Sequence, residues 1–235
     1  MKTVLIRYHY RLGDIVRCFP IARHYAAQGN EVLIECSANY HGIFKAISYA
    51  KPTLPGVSRE VAQDFNPQIW PARYDDFRKS GLRWMDYVYS LYRGWDQIDR
   101  AIVFDRIDQC APKTGEYGMP EKYSIISPFS MSSRHIPLPR IFQLAQERMD
   151  LENTYLFMSH EQQSEMIARG FEPTRALTVK HLSHLPALLR DAQQVLTVNT
   201  STTIIASAVR DNYIHIVESN VQDNWSVPNQ TPILP

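Results

Sequence analysis

The sequence predicts an α/β protein made of two doubly wound, Rossmann-like domains that face each other across a cleft. Short apolar runs rich in β-branched residues alternate with segments whose apolar residues recur at helical spacing. This alternation occurs twice, before and after a polar connector that contains Gly115, Gly118 and Pro120. A chain of 235 residues can bury two cores of this kind. We therefore assign residues 1–113 to an N-terminal domain, residues 121–218 to a C-terminal domain and residues 219–235 to a tail.

The first block of elements opens with the apolar run KTVLIRY, which is typical of a parallel strand covered on both faces. A helix follows the turn at Gly13 and Asp14, and Gly29 with Asn30 supplies its stop signal. The remaining elements of this block are the strand EVLIEC, the helix NYHGIFKAISYA, a proline-rich loop with one short strand from Lys51 to Asp76, the helix FRKSGLRWMDYVYSLYRGW and the strand RAIVFD.

The second block repeats the pattern with five strands and four helices. Its strands are YSIISPF, TYLFMS, ALTV, QVLTV and YIHIV. The helices that separate them are LPRIFQLAQERMD, EQQSEMIARG, LSHLPALLRDA and STTIIASAV. The final stretch VPNQTPILP contains three prolines, so we expect the tail to be extended or disordered.

Composition and charge exclude several classes of protein. A net charge of +1 supplies no global field that would recruit nucleic acid or anionic lipid, although the first half is mildly basic and the second mildly acidic. Three widely spaced cysteines indicate neither a disulfide framework nor a zinc site. The opening apolar run is too short for a signal peptide, and no segment is long enough to span a bilayer. We expect a soluble, cytoplasmic protein.

Parallel sheets bind ligands at the carboxyl ends of their strands, so the loops after strands are where function is expected. After the first strand, Gly13 permits a tight turn, and Asp14 stands where the helix begins. Asp is a preferred N-cap residue, which accounts for Asp14 without any chemistry. A carboxylate at this position would also be well placed as a general base. The local sequence leaves both interpretations open.

Two later loops carry hydroxyl and amide groups between a strand and a helix. In SPFSMSSRHIP, the side chains of Ser130, Ser132 and Arg134 are donors suited to phosphate oxygens. In TVNTSTTIIASA, hydroxyls add donors to the free amide groups of a helix N-terminus. The residues of this second turn are Asn199, Thr200, Ser201, Thr202 and Thr203, of which the first four are the predicted binding residues. The alternatives are an ordinary serine-rich loop and a helix capped by Asn199 or Thr200.

A cluster of aromatic and basic residues in the first block suits sugar rings, and it suits stacked bases and phosphates equally well. Its aromatic members are Trp70, Tyr74, Phe77, Trp84, Tyr87, Tyr89, Tyr92 and Trp95, and its basic members are Arg73, Arg78, Lys79, Arg83 and Arg93. The alternative is a core face whose members, at helical spacing, are Trp84, Tyr87, Val88 and Leu91.

The sequence predicts no metal site. The pairs Asp75–Asp76 and Asp105–Asp108 lack a third ligand at a fixed spacing and are typical of solvated loop charges. His181 and His184 are three residues apart, but no further ligand accompanies them.

Four segments, taken in order, resemble a known family, the bacterial lipopolysaccharide heptosyltransferases of glycosyltransferase family 9. RLGDIVRCFPIARHYAAQGNEVLIECSANY resembles the family's opening strand, Gly-Asp turn and helix, and SPFSMSSRHIPLPRIFQLAQE resembles its phosphate loop. SHEQQSEMIARGF is similar to its His-Glu segment, and LTVKHLSHLPALLRDAQQVLTVNTSTTIIASAV is similar to its donor-binding end with an Asp-Thr-Gly turn. The resemblance implies the two-domain fold called GT-B, in a divergent and shortened form.

The resemblance also implies roles for residues at matching positions. Asp14 matches the general base that takes the proton from the acceptor hydroxyl, and Glu161 matches an acid that contacts the donor ribose. The positions that match the donor diphosphate site are Ser130, Arg134, Thr200 and Ser201. The implied reaction is an inverting sugar transfer without metal or resident cofactor, in which a nucleoside-diphosphate sugar is the co-substrate. Helix N-termini and Arg134 would stabilise the departing diphosphate.

Some positions depart from the family's pattern. Asn199, Ser201 and Ile204 stand where the family has Asp, Gly and His, which leaves the donor sugar and its nucleotide undefined. The expected acceptor is a saccharide or lipopolysaccharide-type glycan, and a hydroxymethylated DNA base is a second class. Two other functions stay open: an epimerase or hydrolase of nucleotide sugars, with His160 and Glu161 as its candidate groups, and a non-catalytic module that binds nucleic acid or sugar.

Overall fold

The computed structural model describes residues 2–7, 11–56, 63–65, 79–81, 84–90, 95–129, 136–168, 175–198, 200–216 and 232–233. It confirms an α/β protein with parallel sheets. Contacts along the chain divide it into two compact units, and the boundary between them lies between Arg106 and Ile107. Each unit contains one sheet, and no helix in the described ranges is long and apolar enough to cross a bilayer.

The first unit is built on a four-stranded parallel sheet. Its strands are β1 (Thr3–Arg7), β2 (Glu31–Glu35), β3 (Lys51–Thr53) and β4 (Gln63–Phe65), in the order β3-β2-β1-β4. β1 lies between β2 and β4, and its residues Val4, Leu5 and Ile6 are all buried. The central position explains why this strand is apolar on both faces.

The helices of this unit lie between and after these strands along the chain. They are α1 (Leu12–Arg17), α2 (Phe19–Ala27), α3 (Trp84–Ser90) and the 3-10 helices Ala38–Ala46 and Trp95–Gln97. Pro20 lies in the first turn of α2, where its missing N–H removes no helical hydrogen bond. The chain leaves α2 through Gly29, whose φ is 80°, and the Asn30 side chain donates to the Tyr25 carbonyl at 3.0 Å. The predicted stop signal is confirmed.

Two predictions for the first unit are wrong, and a third is confirmed in part. The segment NYHGIFKAISYA is helical as predicted, but the helix is of the 3-10 type and ends at Ala46. The described residues of the proline-rich stretch after it already form two short strands, β3 and β4, where one was expected. RAIVFD forms no strand, and contacts from the segment before β3 hold it instead. The Tyr49 hydroxyl donates to the Val103 carbonyl at 2.7 Å, and the Ser48 N–H donates to the Asp105 carboxylate at 2.9 Å.

The second unit is built on a six-stranded parallel sheet. Its strands are β5 (Ser124–Ser127), β6 (Thr154–Phe157), β7 (Ala176–Leu177), β8 (Val195–Val198), β9 (Ile214–Ile216) and β10 (Pro232–Ile233). Their order is β10-β9-β8-β5-β6-β7, and every pair is parallel. Counted within this unit, the order is 3-2-1-4-5-6, the order of a dinucleotide-binding doubly wound sheet. β10 lies in the predicted tail, so Pro232 and Ile233 of that tail pair with β9.

Helices connect these strands as the alternating pattern predicted. They are α4 (Leu138–Arg148), α5 (His160–Ala168), α6 (Leu185–Asp191), α7 (Ser201–Val209) and the 3-10 helices Asp108–Cys110 and Leu182–His184. The buried core joins sheet and helix, because Ile126 of β5 and Leu196 of β8 pack with Ile141 and Leu144 of α4. Burial of large aliphatic side chains of this kind contributes about 1.5–3 kcal/mol each.

Arg210 anchors the end of α7 to the preceding loop. Its guanidinium donates to the backbone carbonyls of Leu189, Ala192 and Gln193 at 2.7–3.0 Å. These carbonyls lie at and beyond the end of α6, where an α-helix leaves acceptors without an intrahelical donor. One side chain therefore satisfies three backbone acceptors at this end of α6.

The connector before β5 is held against the loop after β7. The Tyr117 hydroxyl lies 2.9 Å from His184 Nδ1 and accepts a hydrogen bond from the Lys180 N–H at 3.1 Å. The Lys180 ammonium donates to the Glu116 carbonyl at 2.7 Å and lies over the Tyr117 ring. These contacts join the connector to the loop after β7 through Lys180 and His184.

Candidate functional site

Both sheets have a point where the strand order reverses, and such switch points are where doubly wound sheets bind ligands. In the first unit the reversal lies between β1 and β4, and in the second between β5 and β8. The chain leaves β8 directly into α7, which begins at Ser201. The turn that the sequence singled out therefore lies at the switch point of the second unit.

Thr200 is the N-cap residue of α7, as one of the two sequence interpretations predicts. Its backbone is extended, with φ −152° and ψ 177°, and its carbonyl accepts the Thr203 N–H at 3.1 Å. The Thr200 N–H in turn donates to the Thr203 hydroxyl at 3.4 Å, which is the arm of a capping box that runs from the third helical residue back to the N-cap residue. A helix N-terminus with amide groups directed outward favours an anion. Thr200 and Ser201 are half-buried there, and Thr202 is buried.

Buried hydroxyl groups hold this turn in place, and the sequence analysis did not single out two of them, Ser127 and Thr197. Ser127, at the end of β5, donates to the Thr202 hydroxyl at 3.0 Å. Thr197 and Thr203 both donate to the Val198 carbonyl, at 2.9 Å and 2.6 Å. The density of Ser and Thr around the end of β8 was the available signal, but which hydroxyls turn inward depends on the packing of β5 against β8.

Glu161 lies in the first turn of α5, directly after β6, and its side chain is exposed. Ser159 and Gln162 form the cap of this helix: the Ser159 N–H donates to the Gln162 side chain at 2.9 Å, and the Gln162 N–H donates to the Ser159 hydroxyl at 3.2 Å. Glu161 is therefore not needed as a cap. β6 is the second strand of this unit, and an acid after the second strand is where doubly wound folds hold a ribose.

Asp14 does not cap α1 as an N-cap residue. The N-cap residue is Arg11, and Asp14 is the third residue of the helix, where its carboxylate accepts the Arg11 N–H. Gly13 lies inside the helix and is buried, so the predicted tight turn at Gly13 is wrong. The helix begins earlier than the sequence suggests, because Leu12 is buried and joins the apolar face of α1 with Ile15.

The surroundings of Asp14 combine burial with positive charge. Its side chain is half-buried, and burial raises the pKa of the carboxyl, while the charges of Arg17 and Arg11 and the Arg11 N–H oppose the shift. Arg17 lies one helical turn after Asp14 and is only 7% exposed. The Tyr89 hydroxyl donates to the Arg17 carbonyl at 3.0 Å, which fixes the end of α1.

A second pair of charges at the carboxyl end of this sheet was missed by the sequence analysis. Arg7 and Glu35 are the last residues of β1 and β2, lie opposite each other in the register, and form an ion pair at 3.5 Å. Glu35 is 5% exposed. Each residue by itself looks like an ordinary strand end, so only the register brings them together.

The structure places few members of the aromatic and basic cluster. Tyr87 and Tyr89 are buried, so they belong to a core face and do not present rings to a ligand, while Lys79 is exposed. The other aromatic and basic members lie outside the residues whose side chains the structure describes. The same holds for Ser130, Ser132, Arg134 and Asn199 of the predicted donor site.

The described part of the chain contains no group of three or more His, Cys, Asp or Glu residues that could hold a metal ion. Of the acids that were weighed as ligands, Asp75 and Asp76 lie outside the described residues, and Asp105 and Asp108 have other partners. The Asp105 carboxylate accepts the N–H and hydroxyl of Ser48, and Asp108 forms an ion pair with Arg190 at 2.6 Å.

Comparison with known proteins finds likeness in structure alone. No protein-family model matches the sequence, and no curated protein matches it significantly. The chain is similar to E. coli ADP-heptose lipopolysaccharide heptosyltransferase II, with 12% identity, a TM-score of 0.62, and coverage of 100% of this chain and 90% of that one. It is also similar to E. coli heptosyltransferase WaaC with ADP-2-deoxy-2-fluoro heptose, with 14% identity, a TM-score of 0.56, and coverage of 98% and 92%.

A third similar structure is the glycosyl transferase family 9 protein from Veillonella parvula, with 7% identity and a TM-score of 0.57 over 100% of this chain and 85% of that one. At these identities the likeness shows the fold alone. The chain thus has the fold of these glycosyltransferases, and the resemblance inferred from the four sequence segments is confirmed at that level.

Proposed function

We propose that this chain is a glycosyltransferase that moves a sugar from a nucleoside-diphosphate sugar to an acceptor hydroxyl. The observation that carries the proposal is the strand order of the second unit, which puts the N-terminus of α7 at its switch point. The fold shared with heptosyltransferases over nearly the whole chain supports it. One of those neighbours is described with an ADP-sugar analogue, which indicates the class of donor to test first.

The donor would bind to the second unit. The amide groups and hydroxyls of Thr200 and Ser201 lie at the end of α7 that attracts anions, so they would face the diphosphate. Ser130, Ser132 and Arg134, in the loop after β5, would supply further donors to the same group. Glu161, exposed at the carboxyl end of the neighbouring strand, would accept hydrogen bonds from the ribose hydroxyls.

The acceptor would bind to the first unit, and we propose that the two units face each other across a cleft in the manner of a GT-B enzyme. Asp14 follows β1, the strand at the switch point of the first sheet. Positively charged groups surround it, since Arg11 and Arg17 lie on the same helix segment. The proposed acceptor is a saccharide or lipopolysaccharide-type glycan, and a hydroxymethylated base in DNA is the second acceptor to be tested.

The proposed reaction is a single inverting displacement without a metal. The Asp14 carboxylate takes the proton of the acceptor hydroxyl, and the hydroxyl oxygen forms a bond to the anomeric carbon of the donor sugar. The bond between that carbon and the diphosphate oxygen breaks, and its electron pair leaves with the nucleoside diphosphate. The N-terminus of α7 and Arg134 stabilise the negative charge that develops on the leaving group.

Release of nucleoside diphosphate tests the proposal. The full chain is incubated with a panel of ADP-, UDP- and GDP-sugars, with and without glycan fractions and hydroxymethylated DNA, and the released diphosphate is measured. Release that requires an acceptor supports transfer. Release without an acceptor would point to hydrolysis instead, and the absence of both release and any donor-induced rise in melting temperature would refute an enzyme that uses nucleotide sugars.

A further inference from the structure

The end of β8 concentrates buried hydroxyl groups that the proposed reaction does not use directly. The side chains in question are those of Ser127, Thr197, Thr202 and Thr203, each at most 3% exposed. Buried hydroxyls cost free energy unless they are hydrogen-bonded, so each of these side chains needs a partner inside the protein. Valine has the same shape as threonine and would fill the same space without that cost.

The hydroxyls of Thr197 and Thr203 are directed at one backbone group. Both donate to the carbonyl oxygen of Val198, at 2.9 Å and 2.6 Å, and their own oxygens lie 3.2 Å apart. Val198 is the last residue of β8, at the edge of the sheet where a diphosphate would bind. A bare carbonyl oxygen there would repel phosphate oxygens, and two donors use both of its lone pairs.

The Thr203 hydroxyl has a second function at the same place. It accepts the Thr200 N–H at 3.4 Å, and Thr203 in turn donates its own N–H to the Thr200 carbonyl at 3.1 Å. Thr203 therefore sets the direction of the Thr200 peptide on both sides. The Ser127 hydroxyl, which donates to Thr202 at 3.0 Å, joins the first turn of α7 to β5 across the switch point.

We propose that Thr203 and Thr197 are positioning residues for the nucleoside diphosphate: their hydroxyls cover the Val198 carbonyl and hold the Thr200 turn so that it presents only donors to the phosphates. This inference rests on the proposed function, because it assumes that the second unit binds a diphosphate. Neither residue contacts the ligand, and each acts through the backbone of the turn.

The test compares the affinity of the full chain and its variants for ADP, UDP, GDP and inorganic pyrophosphate by calorimetry. Thr203→Val keeps the shape of the side chain and removes its hydroxyl. For the diphosphates that the wild type binds, we expect this variant to lower the affinity about tenfold, the equivalent of about 1.4 kcal/mol. Thr203→Ser keeps the hydroxyl and should restore affinity to within about twofold. Ser207→Ala is the matched control, because Ser207 donates to the Ile204 carbonyl at 2.8 Å farther along the same helix.

The results separate the inference from the proposed function. If the wild type binds none of the four probes, the proposed donor site fails and the inference fails with it. If the wild type binds and Thr203→Val binds equally well, the inference alone is overturned. A loss shared by Ser207→Ala would also overturn it, since that pattern indicates general destabilisation. If Thr203→Val does not fold, Thr197→Val decides, with about a threefold loss expected and no loss refuting the inference.

Discussion

Replacement of Asp14 by Asn separates its proposed chemistry from its structural role. The amide keeps the size of the side chain and can still accept the Arg11 N–H, so α1 should form as before. It cannot take a proton from an acceptor hydroxyl, and a positioned general base contributes about 10²–10⁴-fold to a rate. We therefore expect kcat to fall by that factor, measured as diphosphate release with acceptor, while donor affinity measured by calorimetry stays unchanged because the donor is proposed to bind to the other unit.

The same variant has an expected effect on stability, and its sign follows from the direction of the pKa. Burial raises the pKa of Asp14 in the folded protein, so the unfolded chain loses its proton first as the pH rises. The wild type therefore loses stability as the pH rises from the ordinary Asp pKa of about 3.9 to the raised pKa of the folded protein. The Asp14→Asn variant has no carboxyl to titrate and shows no such loss. Denaturant unfolding should show Asp14→Asn at least as stable as the wild type at pH 7, with a difference that vanishes below about pH 3.

Asp99→Asn is the matched control within the same unit. The Ala101 N–H and Arg23 lower the pKa of Asp99, so its stabilisation is present at neutral pH and is lost as the pH falls through that lowered value. This variant should keep full activity and lose a little stability at pH 7. Full activity of Asp14→Asn, or loss of donor affinity in parallel with kcat, would refute the assignment of Asp14 as the base.

Three further outcomes are expected. Arg17→Gln removes a charge that lowers the pKa of Asp14, so the acidic limb of the profile of kcat/KM against pH should move to higher pH. An acidic limb that does not move would show that Arg17 does not influence the group that titrates. Tyr89→Phe leaves the buried Arg17 carbonyl without the hydroxyl that donates at 3.0 Å, which should cost about 1–3 kcal/mol in denaturant unfolding; an unchanged midpoint would show that the bond is dispensable. Arg210→Met leaves three carbonyls without their donor and should lower the free energy of unfolding by at least about 2 kcal/mol, with diphosphate affinity intact.

Elements with a strong local pattern were predictable. The parallel strands β5 and β8, the helices α4 and α7 and the stop after α2 lie where apolar spacing and turn residues put them. Elements that depend on distant partners were not. RAIVFD has the composition of a strand, yet Tyr49 and Ser48 bind its backbone and side chains, and the start of α1 moved because burial of Leu12 outweighed the capping preference of Asp14.

The sequence by itself determined the alternation of strands and helices, the resemblance to the heptosyltransferase family and the loops where donors of hydrogen bonds gather, because each depends on residues close together in the chain. Only the tertiary structure decided the strand order, and with it that the turn at Thr200 lies at a switch point. It also decided that the Ser127 hydroxyl reaches Thr202, 75 residues away, and that Arg7 faces Glu35. Such pairings depend on which strands lie side by side, and no local pattern of residues carries that information.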